Sequence, residues 1–241
     1  IIIINLIAIT DLLQCEMEKN YAKKINIDLT RSIAKFSKKK NFLFFYLCTD
    51  SLYGGYKSQG HPNYWLKSKK TNPISYYSHT KLIAEMEMKK INWGVSLRLS
   101  FVGEGNGTSR GLLTFIADSI IKKNKTIYGY SNIYFNPMHI DFFLGKLLDL
   151  LKVKNFNFKI IQLGCMPGMS KYEFIKSITK DYDIKIIPKF IDGKSNKNNI
   201  TYDQTLTPDI SMSKNQLINM SKISLLNEIS LLARKKNDKN I

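Results

Sequence analysis

Four short, mainly apolar runs constrain the fold most. They are Ile1–Ala8 (IIIINLIA), Asn41–Cys48 (NFLFFYLC), Gly94–Val102 (GVSLRLSFV) and Phe158–Leu163 (FKIIQL). Runs that are apolar throughout suit strands covered on both faces, as in a parallel sheet. The segments between them have a helical period. Glu16–Lys38 carries apolar residues at Met17, Tyr21, Ile25, Leu29 and Ile33, four apart and so on one helix face. Ile74–Lys90, Gly111–Lys122, Asp141–Lys152 and Ser170–Lys180 also read as helices. Strands alternating with helices predict an α/β fold around a parallel sheet. Residues 48–73 form a long polar and aromatic loop, a length usually tied to function. Lys189–Asp209 is polar and reads as irregular.

At 241 residues the chain fits one sizeable domain, or one plus a small lobe. The division expected is 1–154 and 155–241, with segments of the two able to interleave. The net charge of +18 could serve an anionic partner. Yet the lysines are spread along the chain, and only four of the 37 basic residues are arginine, the better phosphate fork. The charge therefore reads as solvated surface, and nucleic acid is not the expected partner. Cys15, Cys48 and Cys165 are odd in number and far apart, as reduced thiols of a cytoplasmic protein would be. They form no CxxC pair, and His61, His79 and His139 are equally dispersed, so no metal site is expected. The apolar start is interrupted by Asn5 and Asp11 and is too short to span a bilayer, so no membrane partner is expected.

The stretch SYYSHTKLIAE (75–85) places Tyr77 and Lys81 four apart. A Lys ammonium beside a Tyr phenol would lower the phenol's pKa and make a proton-transfer pair. Chance is a rival, because thirteen tyrosines in so lysine-rich a chain give about two such pairs at random. Three exist, and context separates them. Tyr53/Lys57 flanks Gly54-Gly55 and sits in a turn. Tyr172/Lys176 lies on a late helix away from any polar strand end. Tyr77/Lys81 opens a helix after Asn72-Pro73 and follows a strand ending in Thr49-Asp50. Ligands of open parallel sheets bind beyond such strand ends.

Taken in order, these pieces resemble the extended short-chain dehydrogenase/reductase superfamily, and within it the dTDP-4-dehydrorhamnose reductase family of sugar-nucleotide reductases. INLIAITDLLQCE resembles the family's strand with Asn-Ala-Ala and a following Thr. YAKKINIDLTRSIAKF resembles its helix, here with Asn26, Asp28, Thr30 and Arg31. FYLCTDSLYGG resembles the Ser-Thr-Asp strand end and its turn. TNPISYYSHTKLIAE resembles the Tyr-x-x-x-Lys block, and SLRLSFVGEG the Leu-Arg strand. The likeness runs over nearly the whole chain.

The resemblance implies a Rossmann-like parallel sheet with a small C-terminal substrate lobe. It implies an NADP- or NAD-dependent oxidoreductase of dTDP-rhamnose biosynthesis type, reducing a keto group on a nucleotide sugar. Tyr77 would be the acid/base. Lys81 would hold the cofactor ribose and lower the Tyr77 pKa, and Thr49 would polarise the substrate carbonyl. Asp50 and Phe101 would face the sugar nucleotide, while Ile7, Ala8 and Ile9 would give the cofactor backbone contacts. A same-fold epimerase or dehydratase, and a non-catalytic sugar-nucleotide-binding regulator, remain alternatives, and homo-oligomerisation is left open. The chain departs from the family pattern in places. Phe101 stands for Trp, Cys48 for Ser, and no glycine precedes Gly54. The Gly-rich phosphate turn is thus missing. The expectation is a chain lacking the family's first strands, with weakened cofactor binding and no activity alone. The glycines of VGEGNGTSRG (102–111) break the dinucleotide spacing and read as a flexible substrate-side loop or an ordinary connection.

Overall fold

The computed structural model describes all residues except 60–61, 106–110, 153–156, 192–199 and 238–241. In chain order the first half holds β1 (Ile2–Asn5), α1 (Leu12–Met17), α2 (Lys19–Lys23), α3 (Leu29–Lys40), β2 (Leu43–Leu47), β3 (Lys57–Gln59), α4 (Tyr76–Met88), β4 (Gly94–Arg98), β5 (Phe101–Val102) and α5 (Leu112–Ile121). The second half holds β6 (Thr126–Tyr130), β7 (Ile133–Phe135), β8 (Met138–His139), α6 (Ile140–Leu151), β9 (Lys159–Met166), β10 (Met169–Ser170), α7 (Lys171–Ile178), β11 (Lys185–Lys189), β12 (Ile200–Asp203), β13 (Ile210–Ser213) and α8 (Lys214–Asn237).

The main sheet has five strands in the order β1-β2-β4-β9-β13, and every pairing in it is parallel. The four apolar runs of the sequence supply four of these strands. Side chains alternate across each strand. Phe45 of β2, with Val95 and Leu97 of β4, joins the core beneath α5 and α8. Phe44 and Tyr46 face the other way, onto Ala34 of α3 and Ala84 and Met88 of α4. The sheet is therefore covered on both faces, as the continuous apolar runs predict.

The expected boundary at residue 154 falls between strands of this one sheet. β9 and β13 both lie beyond it, yet both pair in the main sheet. The rest of the second half forms smaller sheets. β12 pairs with β3, so the long loop is stitched to the C-terminal region. Lys189–Asp209, read as irregular, contains β12 and a Trp65–Leu206 bridge. α8 carries no prediction from the sequence. Its buried face holds Ser221, Ser224 and Glu228 beside Leu217 and Leu225, which dilutes the apolar stripe.

Two local features position the site. The helical run from Lys19 to Lys40 passes through a π-helical turn at Lys24–Asp28, which carries Asn26, and ends at Asn41 in the left-handed conformation (φ 55°). Ser75 caps α4 in a reciprocal box with Ser78, both bonds 3.1 Å long. That cap fixes Tyr77 in the first turn of α4 and Lys81 one turn later.

Candidate active site

A cavity of about 300 Å³ opens beyond the C-terminal ends of β1 and β2, and Thr49, Asp50, Tyr77, Lys81, Phe101 and Ala8 all line it. Strand end and helix start are thus brought together, as the sequence leads one to expect. Ile7 and Ile9 are not among the lining residues. Their peptide N–H groups are already engaged, Ile7 with Asn5 Oδ1 at 3.0 Å and Ile9 with Asn26 Oδ1 at 2.8 Å. Leu6 and Thr10 line the cavity from this segment instead.

Thr49 leaves β2 in extended conformation and caps a 3₁₀ turn at Asp50–Tyr53, accepting from Ser51 N at 3.1 Å. Its hydroxyl lies 3.2 Å from Asp50 Oδ1 as a donor. Burial raises the Asp50 pKa, and the Lys171 charge and the Thr49 and Ser51 hydrogen bonds oppose this. Burial is also what dominates Tyr77, pushing its phenol above the ordinary range. Cys48 adds to the rise, and the Thr49 hydroxyl opposes it as a hydrogen-bond partner. The expected lowering of the Tyr77 pKa by Lys81 is therefore corrected: desolvation outweighs any favourable charge. Lys81 itself is driven down to about 8 by burial, with Cys48 opposing. Its Nζ lies 4.3 Å from the centroid of the Tyr46 ring, a cation held over an aromatic face.

The walls are braced by groups to which the sequence gives no role, although Asn26 and Thr30 stand in the helix that carries the resemblance. Asn26 Nδ2 donates to Thr80 Oγ1 at 3.0 Å and to Ile9 O at 3.1 Å, joining the residue 9 segment to α4. Asn5 Nδ2 donates to Thr30 Oγ1 at 3.1 Å. An Asn inside a helix is a poor helix former, and Asn26 within Glu16–Lys38 was the available signal. Behind Lys81, Glu85 and Arg98 form a buried two-pronged pair at 2.5 and 2.9 Å.

The rival pairs are placed elsewhere. Tyr53 is buried, its hydroxyl accepting from Arg98 Nη1 at 2.6 Å and donating to Leu66 O at 3.2 Å. Lys176 lies over its own neighbour, the Tyr172 ring, at 5.8 Å. Part of the 102–111 loop and His61 lie outside the described residues. His139 is a buried cap of α6, and His79 lies on α4. Among the described residues no group of three His, Cys, Asp or Glu could hold a metal, and no helix is long and apolar enough to cross a membrane. The three cysteines are free and buried.

Comparison with solved structures gives closely similar folds at low identity. dTDP-4-dehydrorhamnose reductase from Bacillus anthracis, in complex with NADP, superposes with a TM-score of 0.77 at 16% identity, covering 94% of this chain and 80% of that one. The enzyme of the same name from Clostridium acetobutylicum gives 0.75 at 18% identity, covering 94% and 81%. UDP-glucose 4-epimerase from Thermotoga maritima, with UDP-glucose, gives 0.71 at 17% identity, covering 98% and 77%. Comparison with curated proteins finds no match. The family model described as the RmlD substrate binding domain matches residues 1–208, and the chain belongs to that family.

Proposed function

We propose that this site reduces a keto group on a nucleotide sugar at the expense of NADPH or NADH. One observation carries the reading: Thr49, Tyr77 and Lys81, from a strand end and a helix start, line one cavity. The cofactors and substrates named for the similar structures support it. The cavity, with Lys81 at its wall, fits the nicotinamide-ribose end of such a cofactor. When bound, the dihydronicotinamide supplies a hydride to the keto carbon.

The chain's residues do the rest. Because burial keeps Tyr77 protonated near neutral pH, its phenol is an acid ready to give a proton to the substrate oxygen. Thr49 turns its hydroxyl from Asp50 to that oxygen and stabilises the charge developing there. Lys81 holds the ribose hydroxyls and balances the phenolate left on Tyr77. Asp50 accepts from a sugar hydroxyl, and Phe101, 38% exposed, packs on the sugar.

Residues 1–53 contain no glycine, so they hold no Gly-rich turn to bring backbone N–H groups against a pyrophosphate. Residues 1–241 therefore bind the dinucleotide weakly and turn over a keto-sugar immeasurably slowly. Titration of NADPH and NADH fluorescence tests this. A version extended by a Gly-rich N-terminal strand and turn should bind tightly and reduce the sugar. In that version Tyr77→Phe should lower turnover about 10²–10⁴-fold while leaving cofactor affinity nearly intact. Tight binding by residues 1–241 would overturn the weak-binding reading. Full turnover by Tyr77→Phe would overturn the assignment of Tyr77.

A further inference from the structure

Phe101 borders a second cavity, of about 240 Å³. Its walls are mainly apolar, from Leu112, Leu113 and Ile140, and its one charged lining residue is Glu104. A side chain at Gly103 would collide with Ile140, so the close approach there needs glycine.

Glu104 is exposed, yet it is held from behind. Asn227 Nδ2 donates to its Oε1 at 2.6 Å, and Ser224 Oγ approaches the same oxygen at 3.3 Å. Ser224 is itself directed. His139 Nδ1 accepts from Asp141 N at 3.3 Å, which leaves the ring proton on Nε2, 3.1 Å from Ser224 Oγ. Ser224 therefore accepts from His139 and donates to Glu104. Burial lowers the His139 pKa, so this arrangement holds at neutral pH.

Both donors to Glu104 are uncharged. Among the described residues, Glu104 pairs with no cation and its Oε2 accepts no hydrogen bond, on a chain with 37 Lys and Arg against 19 Asp and Glu. Neutral donors orient a carboxylate without cancelling its charge. What remains is a fixed anionic acceptor at the wall of an apolar cavity next to the candidate active site. Such a wall favours a neutral body with a donor group and disfavours a phosphate.

We propose that Glu104 is a ligand contact, its Oε2 accepting a hydrogen bond from an O–H or N–H on the part of a nucleotide sugar that extends past Phe101. This rests on the nucleotide-sugar reading of the site. Either a sugar hydroxyl or a nucleoside donor satisfies the chemistry.

Calorimetric titration of the wild type and Glu104→Gln with UDP-glucose, UDP and glucose 1-phosphate tests it. Glutamine keeps an oxygen facing Asn227 and Ser224 but places an NH₂ group where Oε2 stood. The Kd for UDP-glucose should rise about tenfold, the size of a lost hydrogen bond to a charged group, with Tm unchanged. Weakening shared with UDP assigns the donor to the nucleoside. Weakening shared with glucose 1-phosphate assigns it to the sugar. An unchanged Kd for UDP-glucose overturns the proposal. So does a loss of affinity accompanied by a fall in Tm that Asn227→Ala reproduces, which would make Glu104 only a tie to α8. Failure of the wild type to bind UDP-glucose is a distinct result: it overturns the functional reading, and this contact with it.

Discussion

The Lys81 ammonium lies over the face of the Tyr46 ring, 4.3 Å from its centroid, in the layer where α4 packs on β2. The aromatic face offsets part of the cost of burying the cation. Burial still wins, and the Lys81 pKa falls from 10.5 to about 8. NMR of lysine labelled at the side chain should therefore show one amine titrating near pH 8. The linkage has a definite sign. Between about pH 8 and 10.5 the unfolded chain holds a proton that the folded chain has lost, so stability contributed by this group rises with pH in that window. Below pH 8 the penalty of the buried charge is present in full. Lys81→Met should therefore raise Tm at pH 7, and the gain should shrink toward pH 10. A lysine spectrum with no amine titrating below pH 9 would refute the burial argument.

Much of this was legible in the sequence because periodicity reports burial. β2 is apolar on both faces and β4 on its Val95 and Leu97 face, and the chain says so. Thr49 and Tyr77 are 28 positions apart, yet their convergence follows from parallel-sheet topology once both elements are placed. α8 was hidden because its buried face contains Ser221, Ser224 and Glu228, and the partners of Ser224 and Glu228 are remote in sequence. The pKa directions were also hidden. The Tyr77–Lys81 spacing gives proximity but not desolvation, which here reverses the expected effect on Tyr77.

The buried Glu85–Arg98 pair should be costly to break and cheaper to replace. Arg98 also donates to the Tyr53 hydroxyl, and Ser96 Oγ donates to Glu85 at 2.8 Å. Arg98→Met leaves an uncompensated carboxylate in the core and should cost about 3–5 kcal/mol in urea unfolding. The double change Glu85→Leu with Arg98→Met should cost less than Arg98→Met alone. A double mutant that loses the sum of the two single losses would show that the charges do not act as a pair.

His139 should make the protein acid-sensitive. Burial lowers its pKa below 6.5, and the nearby Asp141 and Glu104 carboxylates only partly oppose this. As pH falls through 6.5 the unfolded chain takes up a proton that the folded chain resists, so stability is lost on the acid side and retained above it. His139→Gln, which can still bond Ser224, should flatten the fall in Tm between pH 7 and pH 5. A slope equal to that of the wild type would place the acid sensitivity in other groups.

Asn26 joins three segments with one side chain. It bonds both the N–H and the C=O of Ile9 and also Thr80, whose hydroxyl in turn donates to the Tyr77 carbonyl at 2.7 Å. Asn26→Leu has about the right volume but no polar atoms. It leaves the Ile9 peptide and the Thr80 hydroxyl short of partners in a partly buried setting, at a cost of about 1–3 kcal/mol. The loss should be local before it is global. The Ile9 amide should exchange with solvent much faster in the variant, while the Phe45 amide, in the middle of the sheet, changes only as far as overall stability does. Equal acceleration at both amides would mean that Asn26 supports the fold as a whole and not the wall of the cavity.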